Sequence, residues 1–239
     1  MGDWATYQLQ DFIPFDADVY FRLLARMGEH FWPLQLATLV LGIVALILAL
    51  AGRGRVALVL VAPLWAFIGI AFFAQRYAAL NWAGGAFCWA WLLQCLLLLL
   101  PAVTGRGIAP SAPLFSAPGP SALGSSALGS SASVQAGLLV SGCGLVGYPL
   151  LAVALGSGWS QGEAFGLHPD PTAVVTLGIL LMVARGSWLW ALTLVPLLWL
   201  LVSGVTLKVL GSPWYPALFA IMAVVFAGLL SGRHSQVAR

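Results

Sequence analysis

Residues 163–183 read EAFGLHPDPTAVVTLGILLMV, and the two halves of this stretch ask for different surroundings. Glu163, His168 and Asp170, interleaved with two prolines, describe a polar loop that turns sharply. Residues 172–183 are an apolar helical segment. At the α-helical rise they cover about 18 Å, well under the roughly 30 Å of a hydrocarbon core.

Outward from this stretch, apolar runs recur at 34–51, 56–74, 86–103, 135–155, 188–207 and 214–230, separated by brief polar turns. Most are close to the roughly 20 residues that cross a bilayer. Of 239 residues, 61% are hydrophobic and 7% charged, where a soluble domain carries about a quarter. Mean hydropathy is +0.98. The reading is an all-α integral membrane protein of about seven transmembrane helices. A net charge of +3 with no Lys/Arg run excludes a nucleic-acid partner. The first thirty residues lack the pattern of a cleaved signal peptide.

The expected organisation is 1–33, an outer tail with an amphipathic helix; 34–103, three spans; 104–134, a linker; 135–230, four spans; and 231–239, a polar tail. In DADVYFRLLARMGEH, Asp16 is the expected N-cap, and Val19, Tyr20, Leu23, Leu24 and Met27 share one helical side. That helix lies on the membrane surface or packs on the protein's own loops. The linker is rich in Pro, Ala, Ser and Gly, with SALGS in tandem at 121–130, and reads as disordered. Gly142, Gly144 and Gly147 let the segment 135–155 approach its neighbours closely, which predicts a central position for it.

An odd number of spans puts the two ends on opposite sides. With the N-terminus outside, Arg53, Arg55, Arg106, Arg185, Arg233 and Arg239 fall inside. Arg22, Arg26, Arg76, Lys208 and all seven acids fall outside. The expected location is a bacterial inner membrane with a cytoplasmic C-terminus. The motifs Ala62-Pro63-Leu64-Trp65 and Val195-Pro196-Leu197-Leu198-Trp199 follow Arg53 and Arg185 at similar distances. They describe a possible 3+1+3 parallel repeat.

Polar groups at the outer membrane edge are the natural place for a site. His30, Arg76, Asn81, His168, Asp170 and Thr172 form the candidate ligand-binding set. His168 and Asp170 could hold one hard or borderline ion, or belong to a solvated loop. The N–H groups opening the helix at Thr172 could face an anion or a polar solute, or be shielded by neighbours. Cys88, Cys95 and Cys143 have no metal or disulfide spacing, so no metal or cofactor is expected. Gln35 and Gln94 read as interhelical hydrogen-bond partners. Trp32, Trp82, Trp159, Trp188, Trp214 and Tyr215 stand at segment ends, as interfacial belts do. No nucleophile–base set, phosphate loop or zinc motif is present, so an enzyme is not expected.

Residues 31–35 (FWPLQ), 146–149 (VGYP), 165–172 (FGLHPDPT) with 176–178 (TLG), and 195–199 (VPLLW) together resemble an uncharacterised family of bacterial polytopic membrane proteins. That family is known only as a domain of unknown function. The resemblance covers most of the chain outside the linker and implies a membrane fold without a mechanism. A Cys commonly stands in the family where this chain has Asp170, so a thiol role is not carried over. Some members are labelled permease-like. The expected function is a small-solute or ion permease acting near the outer leaflet. The alternative is a non-catalytic membrane subunit of a larger complex. The expected partners are the lipid bilayer, a small solute or a membrane-protein partner.

Overall fold

The computed structural model describes residues 9–109, 126–154 and 162–237. Among them the chain is helical, with one isolated antiparallel β-bridge between Ile108 and Ala184. A short 3-10 turn, Leu9–Phe12, leads to α1 (Ala17–His30), α2 (Trp32–Leu50), α3 (Gly54–Ile68) and α4 (Gly84–Thr104). Then come α5 (Ser126–Gly142), α6 (Tyr148–Ala154), α7 (Pro169–Val183), α8 (Gly186–Val209) and α9 (Tyr215–Val237). A π-helical turn at Gly69–Ala74 extends α3, and another at Cys143–Gly147 joins α5 to α6. Five stretches are long and apolar enough to cross a membrane: Trp32–Leu50, Gly54–Ala79, Gly84–Thr104, Ala132–Leu151 and Gly186–Val209. Pro169–Val183 and Tyr215–Ser231 are apolar but shorter. By length and composition this is a membrane protein.

The middle of the bundle is α7. All of its 15 residues are buried, on every side of the helix. It packs against α2, α3, α5, α8, α9 and the Cys143–Gly147 turn. A helix that is apolar all round belongs in such a sheath. Lipid tails are as apolar as leucine, so its neighbours are held by close packing rather than by water exclusion. Small residues supply the closest approach. A methyl at Gly137 on α5 would lie 2.6 Å from the Gly178 carbonyl oxygen, and one at Gly178 would lie 2.5 Å from the Gly137 carbonyl oxygen. Ser133 Oγ donates to the Leu181 carbonyl along the same seam.

Two expectations change here, and one of two alternatives is chosen. The central helix is α7, not the 135–155 segment, whose Ala132–Leu151 span is only one-third buried. Of the glycines named for it, Gly144 does meet α7 at Val175 and the Pro171 carbonyl, whereas Gly142 faces open space. The expected disordered linker also ends early, because 126–134 is already helix. Its Ala, Leu and Ser residues are competent helix formers, and the seam with α7 gives that helix a partner. Residues 110–125 of the linker and Trp159 lie outside the described residues. Finally, α1 packs on the protein. Tyr20, Leu24 and Met27 are buried in the core, and Asp16 stands at its N-cap without a side-chain capping bond.

Two ends of the bundle differ in charge. At one end α1, the 76–83 loop, the 162–168 loop and the α8–α9 turn meet, tied by Asn81 to Phe12 and by Phe21 to Trp214. At the other end the 105–109 loop bridges the C-terminus of α7, with Ala109 N–H to Val183 O and Arg185 N–H to Gly107 O. Gly54 packs on Val183 and Ile108 at that same end.

Candidate functional site

The loop that opens α7 folds on itself before it meets anything else. Gly166 sits at φ +83°, a conformation other residues resist, and a methyl there would lie 2.7 Å from Thr38 Cβ. Its N–H donates to Thr172 Oγ1 at 2.7 Å, and that hydroxyl donates to the His168 carbonyl at 2.7 Å. The Ala164 N–H donates to His168 Nδ1 at 3.0 Å, which leaves Nε2 to carry the proton and donate to the Leu24 carbonyl of α1 at 3.0 Å. Gln35 Nε2 donates to the Gly162 carbonyl. His168 is fully buried, and burial pushes its imidazole down to about 4, so the neutral ring is the native form. It fastens α1 to the mouth of α7.

Directly inside this loop lies Asp170, only 2% exposed. Its Oδ1 accepts from Trp199 Nε1 at 2.8 Å and its Oδ2 from Ser203 Oγ at 2.6 Å, both on α8. The Tyr20 phenol is buried on α1 and stacks on Phe15 at 5.6 Å. Tyr20, Tyr148 and the Glu163 carboxylate share the electrostatic neighbourhood of Asp170. Burial first, and Asp170 second, push Glu163 well above the usual carboxylate range. Burial and the same two acids push Tyr20 well up too. Among the described residues, no Lys or Arg is among the groups that set the charge of either acid.

One turn deeper, Thr176 Oγ1 donates to the Thr172 carbonyl and accepts from Trp65 Nε1 at 2.9 Å. Both tryptophans of the paired proline motifs therefore aim their indole N–H groups at α7. They belong to one aromatic cluster, in which Trp65 stacks on Trp91 at 4.1 Å while Trp199 meets Phe73, Phe87 and Trp91 edge-on.

The structure places the expected set in separate surroundings. His168, Asp170 and Thr172 adjoin at the start of α7, but the His168 ring points to α1 and Asp170 to α8. The 162–168 loop is therefore buried, not solvated, because its polar groups find partners within itself and on α1. Thr172 uses its hydroxyl locally. Of the first four residues of α7, two are prolines without an N–H, so this terminus offers few donors to an anion. Arg76 donates to the Ala71 carbonyl and lies over the Phe31 ring at 5.2 Å. Asn81 bonds Phe12 and Ala83. His30 is exposed against Phe31. Among the described residues no three His, Cys, Asp or Glu side chains converge as a metal would require.

Sequence reasoning weighed Glu163 among the outer polar groups but did not assign Tyr20, Tyr148, Trp199 and Ser203 to a site. Tyr20 read as part of an apolar stripe and Trp199 as part of a repeat. The available signal was the pairing of an acid, Asp170, with a mid-helix indole, since each is costly in lipid without the other.

No curated protein and no solved structure matches the chain. The resembling block at 31–35 lies inside a stretch that a family model covers, and the blocks around 146–149, 165–178 and 195–199 lie beyond it. Residues 17–114, under half of the chain, match a family of unknown function, DUF6064.

Proposed function

We propose that this protein is a permease-like membrane protein that binds a proton or a small cation at the Asp170–Glu163 pair beneath α1. One observation carries the reading. Asp170 is buried, its hydrogen bonds come from neutral donors, a second acid shares its field, and among the described residues no Lys or Arg is among the groups that set the charge of either. A buried carboxylate without a counter-charge is expensive, and it takes up a proton or attracts a cation. Ionisable groups inside membrane proteins commonly mark ion pathways. In this reading the chain crosses the membrane seven times with its N-terminus outside, and α7 crosses inside a sheath of longer helices. The repeat is a separate matter. The echoing tryptophans share one partner helix, where strict duplication would set Trp65 against α2.

The test is a proton titration of the purified protein together with flux into proteoliposomes under an imposed potential. Wild type is expected to take up protons or a monovalent cation, and Asp170→Asn to lose at least tenfold of that flux. Equal titration curves and no flux in wild type would sink the proposal. The competing reading, a non-catalytic membrane subunit, is favoured by the complete packing of α7 below Asp170. A stoichiometric partner on purification, with no cation uptake, would replace the permease reading with it.

A further inference from the structure

We infer that the arginine-bearing end of the bundle is a binding surface for the phosphate headgroup of an anionic phospholipid. Three chain segments distant in sequence are locked together there. The α2–α3 turn brings Arg53 and Arg55, the loop after α4 brings Arg106, and the α7–α8 turn brings Arg185. The bridge between Ile108 and Ala184 fixes the second segment to the third, and Gly54 packs on Val183 and Ile108 to fix the first. Two of the four guanidinium groups are occupied by structure. Arg55 donates to the Ala102 and Val103 carbonyls that end α4, and Arg185 donates to the Leu181 and Ala184 carbonyls that end α7. They keep their positive charge while satisfying helix C-termini.

Arg53 and Arg106 are exposed, and among the described residues their guanidinium groups hold no partner. Every described acid, Asp11, Asp16, Asp18, Glu29, Glu163 and Asp170, belongs to segments of the opposite end. Among the described residues no acid stands at this face to neutralise the four charges. Trp188 packs on Gly107 beside them, and an indole is a side chain that suits the headgroup level. The lipid-facing surfaces of α2 and α4 run up to this rim through Ile47, Leu100 and Val103. An acyl chain can lie on that surface while its phosphate reaches the free guanidinium groups. Fork-shaped donors suit phosphate oxygens, and each surface charge contributes about fivefold to attraction by an anionic leaflet.

The experiment uses the full-length protein purified in detergent, with native mass spectrometry against phosphatidylglycerol and phosphatidylcholine. Wild type is expected to retain phosphatidylglycerol in preference to phosphatidylcholine. The Arg53→Gln/Arg106→Gln variant should lose about 30-fold of that preference, and Arg22→Gln/Arg26→Gln, at the other end, should not change. Thermal unfolding followed by tryptophan fluorescence checks that each variant is folded, and neither substituted side chain holds another group in place. Unchanged retention in the Arg53/Arg106 variant overturns the inference. Equal loss in the Arg22/Arg26 variant does so too, because it would show net charge rather than this face at work. Displacement of the lipid by millimolar inorganic phosphate would mark a free-phosphate site and overturn the lipid assignment.

Discussion

Gly178→Ala tests whether α7 is the keystone of this fold. The added methyl would stand 2.5 Å from the Gly137 carbonyl oxygen and 2.7 Å from the Ser141 backbone nitrogen, and would also strike Ser141 Oγ. A carbon-to-oxygen contact is comfortable near 3.3–3.6 Å, so the helices must part by about 1 Å locally. Two of the three obstacles are backbone, which no rotamer change relieves. Overpacking of this kind costs about 1–3 kcal/mol, and the upper half of that range applies where backbone meets backbone. Alanine recovers up to about 1 kcal/mol through helix propensity, leaving a net loss of about 1–2 kcal/mol. Thermal unfolding should move down by roughly 2–8 °C for a chain of this length. Gly142→Ala is the control, since a methyl there meets nothing within 4 Å, and it should be neutral or slightly stabilising. The double variant Gly137→Ala/Gly178→Ala should cost less than the sum of its parts, because one separation of the helices relieves both clashes. If Gly178→Ala is as stable as Gly142→Ala, the tight seam between α5 and α7 is not what holds the bundle.

His168 should make stability depend on pH. Its folded value of about 4 lies below the ordinary 6.5, so its contribution is whole above 6.5 and is lost as pH falls toward 4. The loss reaches about 3 kcal/mol, read as a shift in unfolding temperature that His168→Gln abolishes. Trp199→Phe should cost about 2 kcal/mol, since it strips a charge-assisted bond from buried Asp170. Trp65→Phe should cost only about 1 kcal/mol beyond the lost packing, because the Thr176 hydroxyl keeps its bond to Thr172. Chemical denaturation of the two variants side by side checks the order, and equal costs would deny Asp170 its special demand for a donor. Asp170→Asn should keep the fold, as the amide oxygen still accepts from Trp199, while proton release on titration falls relative to wild type.

The long helices were legible because their apolar runs match bilayer thickness, and five appear within a few residues of the expected limits. Their arrangement was not legible, for a physical reason. Lipid and protein interior are equally apolar, so the composition of α7, buried on every side, does not differ in kind from that of α2, whose Leu36, Val40, Ile43 and Ile47 lie exposed. Only the glycines distinguish a helix that meets a backbone from one that meets lipid, and Gly142 shows that even they do so incompletely. The short length of α7 did point the right way, because a helix below bilayer thickness needs taller neighbours around it.

The polar loop misled for a related reason. Its residues looked solvated because Glu, His, Asp and two prolines are turn formers, yet almost every bond they make is local or reaches α1. A loop that satisfies its own backbone can be buried at little cost, and so it needs no water. Asp170 is the exception, because its bonds reach across to α8. A structural anchor for the Trp199 and Ser203 donors could have been a neutral acceptor, such as asparagine, at no charge-burial cost. A carboxylate with a second one in its field carries a charge-burial cost that a neutral acceptor would avoid. The proposed proton or cation site accounts for that cost, which is why uptake, rather than packing, is the property to measure at this position.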